Sequence, residues 1–273
     1  MAGFVTRFAP SPTGRLHRGH AFSALTAYEA ALAARGRFLL RIEDIDRTRC
    51  RAEYEAGIYE DLAWLGLRWE QPARRQSEHM DDYAAALERL RAAGLLYRDF
   101  RSRREIAEAA ASAPHGPEAA FTGGPVADEA ARLARGESFA WRLSIAAARA
   151  VLGDTPLTFE EDGRGAVEAR PERGGDVVLA RKDVGVAYHL AVVVDDALQG
   201  ITHVIRGEDL FDATDVQMLL QRLLDLPTPV YRHHRLLTDA DGRRYAKRDR
   251  AETLAELRAR GVTAEALRTE LGF

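Results

Sequence analysis

Residues 5–42 read VTRFAPSPTGRLHRGHAFSALTAYEAALAARGRFLLRI, and this stretch decides the fold. Val5 to Ala9 predict a short strand, and Pro10-Ser11-Pro12-Thr13-Gly14 is dense in turn-forming residues. A helical pattern runs from about His20 to Arg35, with Gly36 placed to cap it. Arg37-Phe38-Leu39-Leu40-Arg41-Ile42 then predicts a second, buried strand. Strand, helix, strand is a βαβ unit, whose parallel strands require the helical crossover.

Working outward, helices are predicted near Ala52 to Leu65 and His79 to Ala93, ended by Gly66 and Gly94, with Ser77 a candidate cap for the second. Ser102-Arg103-Arg104-Glu105 fits a capping box, but its helix runs into Pro114-His115-Gly116-Pro117 and glycine-rich sequence. Residues 98–175 are therefore expected to form an inserted, smaller α+β lobe. Strands are predicted again at Asp176 to Ala180, Val186 to Val194 and Ile201 to Ile205. Thr214-Asp215-Val216-Gln217 predicts the start of a helix to about Leu224, and short helices follow near Glu252 to Arg260 and Thr263 to Leu271. The expected class is α/β, with a core built from residues 1–97 and 176–250 and short C-terminal helices over 251–273.

With 273 residues, 46% of them hydrophobic, the chain can bury a sizeable core, which excludes a disordered chain. Its 39 Lys+Arg against 42 Asp+Glu give a net charge of −3, so a polyanion must be met by a local patch. Arg74-Arg75, Arg101 with Arg103-Arg104, and Arg232-His233-His234-Arg235 are candidate patches, although most such clusters are solvated faces. Cys50 stands alone, so neither an internal disulfide nor a thiol cluster for zinc can form, and a reducing, cytoplasmic location is expected. No stretch approaches the ~18 to 20 apolar residues of a membrane span.

Four segments carry candidate chemistry. His17-Arg18-Gly19-His20 stands between strand and helix, where backbone N–H groups attract phosphate and two imidazoles can donate to a triphosphate. Gly19 would let a nucleotide lie on the backbone, although a solvated polar loop gives the same pattern. Gly242-Arg243-Arg244-Tyr245-Ala246-Lys247-Arg248-Asp249 is a cationic loop that can clamp phosphates, or a solvated basic surface; Lys182 and Lys247 are the only lysines. Arg41-Ile42-Glu43-Asp44-Ile45-Asp46-Arg47 ends a strand, where Glu43 can hold an α-amino group or join an ion-pair network. Tyr188, expected on an apolar strand, and Arg206 after the next strand can grip a carboxylate, while Asp195-Asp196 are expected to satisfy backbone donors.

RFAPSPTGRLHRGH, RIEDIDRTR, VAYHLAVVVDD, THVIRGEDL and GRRYAKRDR together resemble, in this order, the glutamyl/glutaminyl branch of the class I aminoacyl-tRNA synthetases, with HRGH as the HIGH motif. The resemblance implies a Rossmann-type catalytic domain carrying an inserted acceptor-stem-binding-like lobe. It implies glutamate contacts at Arg7, Ala9, Ser11, Glu43, Tyr188 and Arg206, and ATP contacts at His17, Gly19, His20, Arg244 and Lys247. His17, His20 and Lys247 would act in catalysis, with ATP entering as its Mg2+ complex. The KMSKS-like segment departs from the family in having Arg244 and Ala246 in place of its first lysine and its serine. Where zinc-binding members carry paired cysteines this chain has Asp99 and Arg101, so no zinc is expected.

Only 24 residues follow Asp249, too few for an anticodon-binding domain. That length resembles the shortened paralogues that activate L-glutamate without tRNA and esterify it to queuosine in the anticodon loop of tRNA(Asp). The expectation is thus a monomeric ligase using glutamate, ATP and tRNA(Asp). A truncated enzyme charging the acceptor end and an inactive tRNA- or nucleotide-binding paralogue remain alternatives. Arg7 is expected to meet the substrate side-chain carboxylate.

Overall fold

The computed structural model describes residues 3–101, 105, 121–181, 185–237 and 252–273. The opening unit is as expected: β1 (Val5–Phe8), α1 (Arg18–Ala33) and β2 (Arg37–Ile42), with β1 and β2 parallel and Val5 opposite Arg37. The helix starts two residues earlier than its periodicity suggests, because His17 is the N-cap. It also ends without Gly36: Ala34 is the C-cap and Arg35 takes the positive φ of 50°. Gly36 serves a close approach instead, since a Cβ there would stand 2.3 Å from the Phe4 carbonyl oxygen.

Next come α2 (Ala52–Trp64), β3 (Arg74–Arg75), α3 (Met80–Ala92), β4 (Leu96–Asp99), α4 (Glu129–Ala134), β5 (Ala140–Leu143) and α5 (Ile145–Leu152). Ser77 does not cap α3; its N–H and hydroxyl both donate to Asp44, and His79 precedes the helix. The predicted box at Ser102 to Glu105 lies mostly outside the described residues. The chain continues through β6 (Thr158–Glu161), β7 (Gly165–Glu168), β8 (Val177–Arg181), α6 (Tyr188–Leu198), β9 (His203–Gly207), α7 (Ala213–Leu223) and β10 (Val230–His234). After residue 251 follow α8 (Leu254–Ala259) and α9 (Ala264–Leu271).

The stretch Val186 to Val194 is the largest departure from expectation: from Tyr188 onward it is the first part of helix α6, with Ala187 as N-cap, rather than a strand. Leu190 to Asp196 are buried without a break, so the helix is enclosed on every side and has no polar stripe to reveal a 3.6-residue period. Its three consecutive valines then look like strand sequence. Thr214 likewise lies inside α7 rather than capping it, and Asp212 takes the N-cap position.

Strands β1, β2 and β3 form one parallel sheet, and β9, β10 and β6 pair in parallel in a second, to which β7 adds an antiparallel edge. Thr202 stitches the two together: its N–H donates to Val5 O at 2.9 Å, its hydroxyl accepts from Val5 N at 2.8 Å, and its carbonyl accepts from Val230 N at 2.9 Å. Side chains of β2 alternate between two cores, Leu39 entering one with α3, α6 and α7, and Phe38, Leu40 and Ile42 entering the other with α1, α2, α8 and α9. A parallel sheet covered by helices on both faces follows. A separate antiparallel sheet, β4-β5-β8, stands apart from it. Strands β6 and β7, within the span expected as the inserted lobe, pair into the main sheet through β10.

The last helices are part of the body. Leu254 N donates to Leu16 O at 2.8 Å, Thr253 bridges to His17, and Arg18 pairs with Glu252 and Glu270 at 3.1 and 2.8 Å. Asp61 of α2 is buried against Arg258 of α8, 3.3 Å away, with no hydrogen-bond partner for either oxygen among the described residues. Burial pushes its carboxyl up to about 6, against the pull of Arg258 and Arg15. The folded state therefore binds this proton more tightly than the unfolded state. The stability it contributes is complete below about pH 4 and is lost as pH rises through about 6. Asp61→Asn is expected to raise stability at pH 7.5 by roughly 1 to 2 kcal/mol and to change it little at pH 4, measured by urea unfolding at both.

Among the described residues no helix is long and apolar enough to cross a membrane.

Candidate active site

A cavity of about 430 Å³ opens where the parallel strands end. Arg7, Phe8 and Ala9 reach it from β1, Glu43 from the end of β2, Ile205, Arg206 and Gly207 from β9, and His234 and Arg235 from β10. In an open α/β sheet the carboxyl edge is where side chains and loops leave room for a ligand. His17, Gly19 and His20 line the same cavity from the start of α1.

The two histidines are organised by the backbone. His17 Nδ1 accepts from Gly19 N at 3.1 Å, and His17 N donates to His20 Nδ1 at 3.2 Å, a reciprocal capping box made with imidazoles. Each Nδ1 accepts, so in the neutral rings both protons sit on Nε2. The rings lie 3.8 Å apart, two N–H donors beside the positive end of a helix. That is a suitable cradle for an anion whose charge grows during reaction.

Arg7 and Glu43, which also line the cavity, belong to a buried ionic cluster. Arg41, wholly buried, donates to Asp196 Oδ1 at 2.7 Å, Gln199 Oε1 at 3.1 Å and Glu43 Oε1 at 3.2 Å, and its Nε lies 3.6 Å from Asp195. Arg7 donates to both oxygens of Asp196, at 3.0 and 3.3 Å. Asp195 receives Arg74 at 2.7 Å, Gln76 at 2.8 Å and the Tyr83 hydroxyl at 2.9 Å. Asp195 and Asp196 therefore bind side chains, not the backbone donors expected of them. They occupy the last turn of α6, where the helix dipole disfavours anions, and three guanidiniums offset that cost. Burial raises the pKa of Glu43 against the pull of Arg41 and Arg7, so an incoming ammonium would offset the cost of a buried carboxylate charge.

Arg206 is held differently. Its Nε donates to His233 Nε2 at 3.1 Å, Nη1 to Gln217 Oε1 at 2.7 Å and Nη2 to Thr214 Oγ1 at 2.7 Å, all neutral acceptors. Gln217, 2% exposed, has no close hydrogen-bond partner for its Nε2 among the described residues, and its side chain faces the Tyr188 hydroxyl. Tyr188, the first residue of α6, stands beside Glu43, Arg206 and Gln217; burial raises its pKa, and Glu43 adds to the rise. A charged guanidinium with no carboxylate partner among the described residues faces a cavity that also holds a buried acid.

Residues 4–272 match the family of class I tRNA synthetases (E and Q), catalytic domain. The chain belongs to that family. It is 50% identical to glutamyl-Q tRNA(Asp) synthetase of Rhodobacter capsulatus over 98% of this chain and 100% of that protein. Identity to the protein of the same name from Nocardia farcinica is 45%, covering 96% of this chain and 82% of the relative. Among solved structures, glutamate-tRNA synthetase from Elizabethkingia anophelis superposes with a TM-score of 0.77 at 27% identity, over 91% of this chain and 53% of that one. The chain thus spans about half the length of that synthetase. Membership of the class I synthetase family makes this an α/β ligase-type enzyme fold and implies the use of ATP.

Of the residues expected at a synthetase site, His17, Gly19, His20, Arg7, Ala9, Glu43, Tyr188 and Arg206 come together around the one cavity. Ser11 lines a neighbouring cavity of about 240 Å³, which shares Glu43 and Tyr188 as its wall. Arg244 and Lys247 lie outside the described residues. The flanks of their segment are described: Leu236 and Leu237 line the main cavity, and Thr253 bridges to His17.

The candidate RNA patches fare unevenly. Arg74 pairs with Asp195 and Asp82, and Arg75 with Glu55 and Glu78, which leaves neither as an uncompensated surface cation. Arg101 pairs with Asp99 and lies over the Phe121 ring, while Arg103 and Arg104 are outside the described residues. Residues 232–235 are not one patch: Arg232 is about half exposed, the His233 side chain is fully buried, and His234 and Arg235 line the cavity. Strand β10 carries the first three of them, with Arg235 just beyond its end, and the sequence reading missed that strand. Asp99 accepts from Arg101 and Arg142, and among the described residues no group of three or more His, Cys, Asp or Glu side chains is arranged to hold a metal.

Proposed function

We propose that the chain activates L-glutamate with Mg2+-ATP and transfers the glutamyl group to the queuosine nucleoside of tRNA(Asp). The observation that carries this reading is one cavity lined both by the imidazole-capped start of α1 and by Glu43, Tyr188 and Arg206. The first group suits a triphosphate, and the second suits an amino acid with a second carboxylate. High identity over the full length of a protein named for glutamyl-Q tRNA(Asp) supports the choice of acceptor.

In the first step an oxygen of the glutamate α-carboxylate attacks the α-phosphorus in line; the bond to the β-phosphate oxygen breaks and pyrophosphate leaves. His17 and His20 donate to the phosphate oxygens as their charge grows, and Lys247 is assigned to the same task. Glu43 holds the α-ammonium. Arg206 receives the side-chain carboxylate, with Gln217 Nε2 as a further donor and Arg7 nearby. Arg7 alone was the sequence-based choice for this carboxylate, but its charge is already matched by Asp196. In the second step a queuosine hydroxyl attacks the acyl carbon, AMP departs with the bonding electrons and its phosphate takes up the hydroxyl proton, so orientation suffices and no protein nucleophile is used.

The test has two arms. Glutamate-dependent ATP–pyrophosphate exchange should proceed without RNA, and mass spectrometry should find glutamate on queuosine. Equal charging of queuosine-free tRNA(Asp) would overturn the choice of acceptor. It would favour charging of the acceptor end, a reading kept open by 41% identity to glutamate–tRNA ligase 2 of Acidiphilium cryptum, which covers 59% of that protein.

A further inference from the structure

Glu161, at the end of β6, and His233, in β10, form a buried pair that the steps above do not use; their side chains are 2% and 0% exposed. Glu161 Oε1 accepts from the His233 backbone N–H at 2.8 Å, and Oε2 lies 2.8 Å from His233 Nδ1. On the far edge of the ring, Nε2 meets Arg206 Nε at 3.1 Å. A guanidinium nitrogen can only donate, so Nε2 carries no proton and the ring proton sits on Nδ1, facing the carboxylate. Thr214 Oγ1 accepts from Arg206 Nη2 and lies 3.3 Å from the same Nε2, in position to donate its own hydrogen there. Burial and Arg206 both hold the imidazole below its ordinary pKa, against the pull of Glu161, which suits a neutral ring.

Of the five N–H donors on a guanidinium, these contacts use three, one each on Nε, Nη1 and Nη2. One donor remains on each terminal nitrogen, available to an incoming carboxylate. A carboxylate placed directly against Arg206 would cancel its charge. Glu161 instead stands one imidazole away, so it orients the guanidinium without ion-pairing to it.

We propose that Glu161 and His233 are positioning residues that aim Arg206 at the side-chain carboxylate of the amino-acid substrate, Glu161 fixing the imidazole tautomer and the imidazole fixing Nε. The proposal rests on the glutamate reading above and adds two residues from segments that the sequence read as an inserted lobe and a basic surface.

Exchange kinetics on the intact chain test it. Glu161→Gln keeps the shape but allows an amide N–H to face Nδ1, which would drive the ring proton to Nε2 against Arg206. The KM for glutamate should rise about 10-fold, the worth of one hydrogen bond to a charged group, while kcat and the KM for ATP stay within about 2-fold. His233→Gln, which retains an acceptor for Arg206, should recover much of the glutamate affinity that His233→Leu loses, and it carries the comparison if Glu161→Gln does not fold. Folded variants with an unchanged glutamate KM, or with both KM values raised equally, would overturn the proposal. Wild-type protein without glutamate-dependent exchange would instead overturn the functional reading itself.

Discussion

Arg206→Ala is expected to raise the KM for glutamate in pyrophosphate exchange by about 100-fold or more, with the KM for ATP changed by no more than about 2-fold. Truncating one partner of a buried, hydrogen-bonded charge pair costs about 2 to 5 kcal/mol, and 1.4 kcal/mol is tenfold in affinity. The asymmetry between substrates follows from the cavity, where Arg206 stands with Tyr188 and Glu43 while the α1 cradle is built from His17, Gly19 and His20. Arg206→Lys should not restore binding, because an ammonium cannot keep the bonds to His233, Gln217 and Thr214 and still offer a planar fork. Titrating each substrate separately in the exchange assay checks this, and a variant with an ordinary glutamate KM would move the carboxylate contact to another residue.

Arg41→Met is expected to be the most destabilising single change in the body of the protein. Its side chain fits no ligand role, being wholly buried, yet it is shared among Glu43, Asp196 and Gln199 and lies close to Asp195. Burial alone would lower its pKa, but Asp196, Glu43 and Asp195 outweigh that and hold it above the ordinary value. Removing the cation leaves Glu43 without its described hydrogen-bond donor and Asp196 with Arg7 alone. Breaking a buried ion pair in this way costs about 3 to 5 kcal/mol, which in a chain of this size lowers the melting temperature by roughly 10 °C. Denaturant unfolding at pH 7 reads the loss directly, and a shift below about 1 kcal/mol would show that the cluster relaxes by admitting water.

The sequence was most legible where one local pattern had one structural solution. The β1–α1–β2 unit is such a case: turn residues, a helical repeat and an apolar strand follow one another, and the HRGH segment falls at the helix start. It was least legible where burial erased the pattern, as in α6, whose apolar run could be a strand or an enclosed helix. Site residues at the ends of predicted strands were found because position suggested chemistry. Arg41 was quoted as strand sequence, but its importance depends on Asp195 and Asp196, which only the tertiary fold brings beside it. His233 was hidden more thoroughly: it sat in a run of basic residues that looks like a surface, on a strand without strong β-pattern, opposite a glutamate 72 positions earlier.

The sequence separations within this cluster also bear on how the protein is made. Arg7 meets Asp196 across 189 positions, Arg41 meets it across 155, and Arg18 meets Glu252 across 234. Because translation runs from the amino end, Arg7, Arg18 and Arg41 leave the ribosome long before these acidic partners exist, and contacts this distant close slowly. The nascent chain therefore carries the phosphate cradle together with Arg7 and Glu43 for well over a hundred residues before Tyr188 and Arg206 are made, and the amino-acid pocket can close only after that.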